Sequence, residues 1–290
     1  MNSLDILEYC FNIESGDKPR ANKGHHPSSA RCKVKDKVYG SCLRKLWYGW
    51  KQTPYTDKLN MWSAQFGTAI HEWLEGKIKE HKPEILKQFG LKDIMVEEYK
   101  RYPIEGLKYP ITMKSDIIIL PNEGDAFGVD LKTGYQKGTK DIQEYGCKDY
   151  WILQLGIYAY IYSDMKYFEV AYIDRGNFYR TRFNVYYLKD TDRIFSWSPI
   201  TDKEVDYGFT FQGIVDSWKE LEKYLEEDKL PPRDYDPISV EELQWRNEKE
   251  MDEDGVKYHY KKVQKMVITK PCSWNCNYCQ WHGQCQKEKE

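Results

Sequence analysis

Long apolar runs are missing from the sequence. No stretch reaches the roughly 18 consecutive apolar residues that a membrane-spanning helix needs, and charged residues make up 31% of the 290 residues. The first residues, MNSLDILEYC, also lack the basic segment and apolar stretch of a secretory signal. We therefore expect a globular protein with no membrane partner, in the reducing cytoplasm where structural disulfides are rare.

An excess of positive charge is also missing, since the formal net charge is −2. Proteins that coat nucleic acid non-specifically are often basic, so this balance disfavours that class. An enzyme that acts on nucleic acid needs only a local basic groove. Aromatic residues, in contrast, are abundant at 15% of the chain, and such rings can stack on the bases of single strands.

Internal repeats and low-complexity segments are absent too, so we predict one domain over residues 1–290. Apolar periodicity and turn residues predict the elements. The predicted helices cover 42–50, 61–79, 148–163 and 211–228. The predicted strands cover 93–100, 111–120, 126–132, 167–174, 178–187 and 258–267. This order predicts an α/β fold with a mixed sheet flanked by helices. Residues 1–40 are predicted to be irregular, and 240–255 to be a charged, exposed segment.

One segment, KSDIIILPNEGDAFGVDLKTG from Lys114 to Gly134, carries two acids and a lysine on successive strands. Antiparallel pairing across its turn brings Asp116 and Asp130 to one end, and strand alternation puts Lys132 on the face of Asp130. Paired carboxylates suit Mg²⁺ or Mn²⁺, which polarises a phosphate and lowers the pKa of a water molecule. Lys132 would orient that water or neutralise charge on the phosphate. Taken alone, a D-x-K triplet is more typical of a solvated strand end than of a catalytic site.

The sequence GVDLKTG, from Gly128 to Gly134, resembles the metal-site motif of the RecB-like PD-(D/E)XK nucleases. That family includes AddB-type nuclease domains and the CRISPR-associated RecB-like exonucleases. Its first motif acid lies upstream in a hydrophobic strand, as Asp116 does here. The family commonly has a glycine before this acid, whereas Lys114 and Ser115 stand there in this chain. The departure changes local backbone freedom.

Three further segments resemble motifs of the same family and follow its order over about residues 42–160. FGTAIHE, from Phe66 to Glu72, resembles the helix that supplies a metal-binding histidine. Gln154 and Tyr158 match a Q-x-x-x-Y helix, and CLRKLWY, beginning at Cys42, resembles the segment with the first cluster cysteine. Residues 165–265 match no motif that we can name.

The resemblance implies roles for individual side chains. His71, Asp116, Asp130 and the backbone carbonyl of Leu131 would hold the cation, and Lys132 would assist the attacking water. Gln154 and Tyr158 lie one helical turn apart, and would contact phosphate or hold Lys132. Glu98 is a weaker candidate for the same site.

Eight cysteines are present, three of them in the terminal pattern Cys276-x₂-Cys279-x₅-Cys285. Such close spacing in a cytosolic protein indicates metal binding in preference to disulfides. The resemblance implies that Cys42 joins these three around a [4Fe–4S] cluster, which takes four thiolates. This iron–sulfur clasp would join the N- and C-terminal segments, with 268–290 as a cysteine-rich tail.

Other interpretations of the cysteines remain open. Cys272, Cys276, Cys279 and Cys285 would make a self-contained zinc site, and Cys32 lies close enough to Cys42 in sequence to replace it. Cys272-x₃-Cys276-x₂-Cys279 also resembles the radical-SAM signature. That signature opens a barrel of strands and helices, however, and only eleven residues follow Cys279.

The resemblance also implies a restriction-endonuclease-like fold and hydrolysis of DNA phosphodiester bonds. We expect an exonuclease on single strands or DNA ends, in recombination, repair or replication, with a helicase or recombination protein as a further partner. Two alternatives stay open. A non-catalytic DNA-binding accessory module would have lost a metal-site acid or the lysine, and none is missing here. A sequence-specific endonuclease would use residues 165–265 for readout.

Overall fold

The computed structural model describes residues 23–55, 62–135, 137–235, 240–251, 258–270, 276 and 279–288. The chain divides into two compact units. The first contains the described residues of Met1–Pro54 and Asn60–Pro232, and the second those of Tyr55–Leu59 and Arg233–Glu290. The single domain over 1–290, with its core at 42–160, stays a prediction.

The helices of the first unit are α1 (Leu43–Trp50), α2 (Trp62–Glu80), α3 (Lys82–Phe89), α4 (Lys137–Tyr145), α5 (Asp149–Ile161) and α6 (Phe211–Glu226). Its strands are β1 (Arg31–Val34), β2 (Lys37–Gly40), β3 (Leu91–Tyr102), β4 (Ile111–Pro121), β5 (Phe127–Gly134), β6 (Tyr167–Asp174), β7 (Arg180–Leu188), β8 (Arg193–Ser198) and β9 (Lys203–Phe209). Short 3-10 helices cover Pro27–Ser29 and Lys189–Thr191. The second unit contains β10 (Val240–Met251), β11 (Tyr258–Lys270) and α7 (His282–Lys287).

Seven strands form one sheet in the order β3-β4-β5-β6-β7-β8-β9. All neighbours are antiparallel except β5 and β6, which run parallel. A parallel pair needs a crossover connection, and here α4 and α5 form it. The predicted α/β architecture, a mixed sheet flanked by helices, is confirmed at this level.

Helix α5 packs against β6, β7 and β8 and is apolar on all sides. A helix of that kind is buried, and Ile152, Leu153 and Ile157 have no solvent exposure. The other face of the sheet is covered by α2 and α3, where Ile78 packs with Ile117. Both of these helix layers reach β5, which carries the acidic motif.

The prediction that residues 1–40 are irregular was wrong for their described part. There, β1 and β2 form an antiparallel hairpin. Lys35 in its turn adopts a left-handed conformation (φ 54°) that lysine does not signal in sequence.

The segment 240–255 was predicted as charged and exposed, and it contains β10, which pairs antiparallel with β11. No strand was predicted there, because the high charge of these residues resembles that of a solvated loop.

Within the described residues, no helix combines the length and apolarity needed to span a membrane.

Candidate active site

The candidate site lies where β4 and β5 separate. The two strands pair only between Ile117–Ile119 and Phe127–Val129, after which β4 stays with β3 and β5 stays with β6. Just beyond the last paired residues, the backbone N–H of Leu131 donates to Oδ2 of Asp116 at 2.9 Å. The Asp116 carboxylate thus accepts the hydrogen bond that a backbone carbonyl of a paired strand would otherwise accept. The N–H and C=O of one strand residue point the same way, so the Leu131 carbonyl also faces this gap.

Helix α2 brings His71 to the gap. Its Nδ1 lies 3.3 Å from Oδ2 of Asp116. The hydrogen bond to Asp116 raises the pKa of His71, and burial opposes that shift. The helix passes close to the end of β5, because a Cβ added to Gly67 would lie 3.4 Å from Oγ1 of Thr133. The histidine of the FGTAIHE segment and the first motif acid therefore meet as predicted.

Asp130 lies on the α5 side of β5 and is only 2% exposed. Its Oδ1 accepts a hydrogen bond from Nε2 of Gln154 at 3.0 Å. Its Oδ2 lies 2.6 Å from Nζ of Lys132. This contact is an ion pair without the alignment of a hydrogen bond, because the buried Oδ2 accepts none from the described residues. Burial raises the pKa of Asp130 to about 6, although Lys132 opposes the shift.

Gln154 connects the acid to the lysine, and Tyr158 lies against Gln154. Oε1 of Gln154 accepts a hydrogen bond from Lys132 at 3.2 Å while its Nε2 binds Asp130. Tyr158 donates to the carbonyl of Lys114 at 3.0 Å and lies 3.4 Å from Nε2 of Gln154. Because Tyr158 is only 1% exposed, its contacts fit the role of holding Lys132 better than contact with phosphate. Burial strongly raises the pKa of Tyr158.

Sequence reasoning missed Glu75, which lies one helical turn after His71 and is 8% exposed. Burial is the main cause that raises its pKa, followed by the charge of Glu97. The i,i+4 spacing from His71 was the available signal. Glu98, the weaker candidate, is exposed. Its neighbour Glu97 instead turns toward Glu75, because Glu97 interrupts the pairing of β3 with a left-handed backbone (φ 57°).

His26 is a second residue that sequence reasoning missed. Surrounding protein atoms that desolvate the ring lower the pKa of His26, and the charge of Lys132 lowers it further, although the residue is exposed at the surface. The segment ahead of β1 therefore comes near the lysine, although no spacing in the sequence relates the two residues.

The donor set fits a hard cation in its chemistry, since it combines an imidazole, two carboxylates and a carbonyl oxygen. Among the residues that the structure describes, no three His, Cys, Asp or Glu side chains already stand in a metal-holding arrangement. The donor atoms are instead engaged in the two ion pairs, His71 with Asp116 and Lys132 with Asp130.

Of the four predicted cluster cysteines, one lies in the first unit and three lie in the second. Cys42 is the residue ahead of α1 in the first unit. In the second unit, the backbone N–H of Cys279 donates to the carbonyl of Cys276 at 3.0 Å, and the N–H of Cys285 donates to the carbonyl of Trp281 at 2.9 Å. All four cysteines are half-buried. Cys272 and Cys10 lie outside the described residues.

No protein-family model matches the chain, and no curated protein matches it. Among solved structures, the crystal structure of SSO0001 is 14% identical, with a TM-score of 0.45, over 99% of this chain and 97% of that one. An alkaline exonuclease from Laribacter hongkongensis is 11% identical, with a TM-score of 0.33, over 64% of this chain and 78% of that one. At these TM-scores neither likeness establishes the fold or the activity of this chain.

Proposed function

We propose that this protein is a metal-dependent nuclease of the RecB-like PD-(D/E)XK type that hydrolyses DNA phosphodiester bonds. One observation carries the proposal. The gap between β4 and β5 brings the side chains of His71, Asp116, Asp130 and Lys132 together. These are the residues that the motif resemblance had singled out from three separate segments of the sequence.

His71, Asp116, Asp130 and the carbonyl of Leu131 would hold Mg²⁺ or Mn²⁺. When bound, the cation would polarise the scissile phosphate and lower the pKa of a water molecule. The chain supports this assignment through Asp130, a buried carboxylate whose Oδ2 has Lys132 as its ion-pair partner. Burial disfavours the ionised form of Asp130 and raises its pKa, and ligation of a cation would favour the ionised form.

Lys132 would act on the phosphate. Its side chain is 22% exposed, so it can reach a substrate while Asp130 and Gln154 hold it. A fixed positive charge of this kind stabilises the negative charge that develops on the phosphate oxygens. Gln154 and Tyr158 are positioning residues in this scheme, since both are buried and contact the acid, the lysine or each other.

The substrate class and mode follow from the resemblance. We propose exonuclease action on single strands or DNA ends, in recombination, repair or replication. A helicase or recombination protein would supply such ends. The restriction-endonuclease-like assignment of the sheet belongs to the same proposal.

The direct test is a substrate panel. Purified protein is incubated with labelled linear single-stranded, linear duplex and closed circular DNA, with Mn²⁺ or with a chelator. We expect Mn²⁺-dependent shortening of the linear strand and resistance of the closed circle. Asp130→Asn should remove the activity. Asp125→Asn is the matched control, because Asp125 is an exposed acid just ahead of β5 that pairs only with exposed Lys166 among the described residues.

Two outcomes would contradict the proposal. Cleavage that persists in Asp130→Asn would show that the site assignment is wrong. Binding of DNA without any cleavage would favour the accessory module. Rapid linearisation of the closed circle at one position would instead favour the sequence-specific endonuclease.

We also propose that Cys42, Cys276, Cys279 and Cys285 bind a [4Fe–4S] cluster. The support is the family resemblance together with the close spacing of three half-buried thiols. Protein prepared without oxygen should contain iron and acid-labile sulfide, and Cys42→Ser should lose both. Cys32→Ser is the matched control, and Cys272→Ser should also retain the iron. A colourless protein with one zinc, unaffected by Cys42→Ser and disrupted by Cys272→Ser, would overturn this assignment.

A further inference from the structure

Two exposed aromatic rings lie just beyond the strand that carries Asp130 and Lys132. Tyr135 directly follows β5 and is 59% exposed. Phe178 lies in the turn between β6 and β7 and is 75% exposed. Exposed apolar side chains that gather at one edge mark a binding surface more often than scattered ones do.

The topology places both rings beside the candidate site. Strands rise about 3.3 Å per residue, so the backbone of Tyr135 lies about 10 Å beyond that of Lys132. Because β5 and β6 are parallel, their ends meet at the same edge, with Gly134 opposite Asp174. The turn that contains Phe178 begins at that residue.

The turn holds Phe178 in a fixed position. Oδ1 of Asp174 accepts hydrogen bonds from the N–H groups of Gly176 and Asn177 at 2.7 and 3.2 Å. Oδ2 of Asp174 accepts one from Thr139 of α4. Phe178 itself has a φ of 57°, a conformation that residues with a side chain rarely adopt. Such an outlier, imposed by its surroundings, is typical of a functional position.

Tyr135 is held by the same turn. A Cβ added to Gly176 would lie 2.7 Å from Cε2 of Tyr135, so the edge of the ring rests directly on the glycine. The carbonyl of Tyr135 accepts a hydrogen bond from Gly138 at 2.8 Å. Arg175 donates from its backbone N and its Nε to the carbonyl of Gly134, at 2.9 and 3.3 Å. The Arg175 side chain is therefore held at the end of β5, at the residue before Tyr135.

We propose that Tyr135 and Phe178 form a stacking platform for bases of single-stranded DNA, one to two nucleotides from the phosphate that lies at Lys132. This inference rests on the proposed nuclease function and specifies single-stranded DNA as the substrate. Aromatic rings stack on any base, because every base has a π-face. Arg175 adds a positive charge for the adjoining backbone. Bases paired within a duplex are not available to these rings.

The test measures binding without cleavage. Labelled 20-nucleotide single strands and the matching duplex are titrated with protein in Ca²⁺. Tyr135→Ala should weaken single-strand binding about 5- to 150-fold, the equivalent of a stack worth about 1–3 kcal/mol. Duplex binding should change little. Tyr135→Phe should retain the affinity, and Phe178→Ala should show a smaller loss. Phe89→Ala is the matched control, since Phe89 is 70% exposed at the end of α3.

An abasic scan makes the test specific. Strands with one abasic nucleotide at successive positions should bind wild type poorly at one position, and that penalty should disappear in Tyr135→Ala. Equal abasic profiles in the two proteins would overturn the platform, as would a wild type that does not bind single strands. The nuclease proposal fails separately, in the cleavage panel with Mn²⁺. If the protein binds single strands through Tyr135 but does not cleave DNA, the result supports the platform and contradicts the nuclease proposal.

Discussion

Two histidine–carboxylate pairs in the first unit, one buried and one half-buried, differ in how completely their polar atoms are satisfied. In one, Nε2 of His25 lies 2.8 Å from Oε1 of Glu222, and the backbone N–H groups of Tyr109 and Lys108 donate to the same carboxylate at 3.0 and 2.9 Å. His25 also stacks on Trp218, with 4.9 Å between ring centroids. In the other, His71 faces Asp116, and the adjacent Asp130 keeps a buried oxygen without a hydrogen bond from described residues.

The difference separates a structural role from a catalytic one. The carboxylate of Glu222 has three donors on its two oxygens, and it ties α6 to the hairpin between β3 and β4 and to the segment ahead of β1. Fully satisfied networks of this kind make a fold rigid. Asp130, in contrast, is held beside Lys132, and its carboxylate oxygens can still accept further hydrogen bonds or bind a cation. Buried groups whose contacts are incomplete are typical of sites that bind a ligand or ion.

The largest contrast is expected in cleavage. Lys132→Ala and Asp116→Ala should each reduce the cleavage rate at least about a thousandfold, because residues that act as one catalytic unit fail together. Glu222→Gln should leave the rate of the folded protein within about twofold. The measurement is single-turnover cleavage of a linear strand below the unfolding temperature of each variant. A cleavage rate for Lys132→Ala near that of wild type would show that the site around Asp116 and Asp130 is not catalytic. That site would then not differ in role from the His25–Glu222 pair.

The opposite contrast is expected in stability. Glu222→Ala leaves two backbone N–H groups and His25 without their acceptor, and such a loss costs about 3–5 kcal/mol. The melting temperature should fall by roughly 10 °C. Glu226→Ala is the matched control, because Glu226 lies on the same helix in an exposed pair with Lys108 and should cost under about 1 kcal/mol. Equal losses for the two variants would contradict the structural role of Glu222.

Asp130→Asn should stabilise the metal-free protein at neutral pH. Burial raises the pKa of Asp130 to about 6 from an ordinary 3.8, so the folded state favours the protonated acid. The contribution of protonated Asp130 to the free energy of unfolding is present below about pH 4. It is lost as the pH rises through 6, a difference of about 3 kcal/mol. Asparagine has no proton to lose.

The melting temperature of Asp130→Asn in a chelator should therefore exceed that of wild type by about 5 °C at pH 7.5 and match it near pH 4. Added Mn²⁺ should raise the melting temperature of wild type more than that of the variant. A variant that melts below wild type at pH 7.5 would show that Asp130 is a satisfied structural residue, like Glu222.

The smallest expected effect concerns His71. The hydrogen bond to Asp116 raises its pKa above the ordinary value of 6.5. Its contribution to stability is thus present below 6.5 and is lost as the pH rises through the folded-state value. Thermal melts of wild type and His71→Asn in a chelator should differ by under about 1 kcal/mol at pH 6, with the gap closing as the pH rises further. A gap that grows with pH would contradict the His71–Asp116 ion pair.

Much of the fold was predictable because apolar periodicity reports burial directly. The six predicted strands all exist, and the predicted 148–163 helix corresponds to Asp149–Ile161. The β1–β2 hairpin was missed because lysine occupies its left-handed turn position. Strand β10 was missed because charged side chains hid its alternation. Strand-edge details, such as the turn of Glu97 toward Glu75, depend on a break in register that no local pattern signals.

By itself, the sequence determined which residues form the candidate site, since the spacing of Asp116, Asp130 and Lys132 and the resemblance of the surrounding motifs select them. Only the tertiary structure decided how their charges are arranged. The separation of β4 from β5, the crossover through α4 and α5, and the approach of α2 set which oxygen pairs with which cation. They also place Tyr135 and Phe178 at one edge. The physical reason is that residue type follows local chemistry, whereas burial and partnership arise from contacts between segments far apart in the chain.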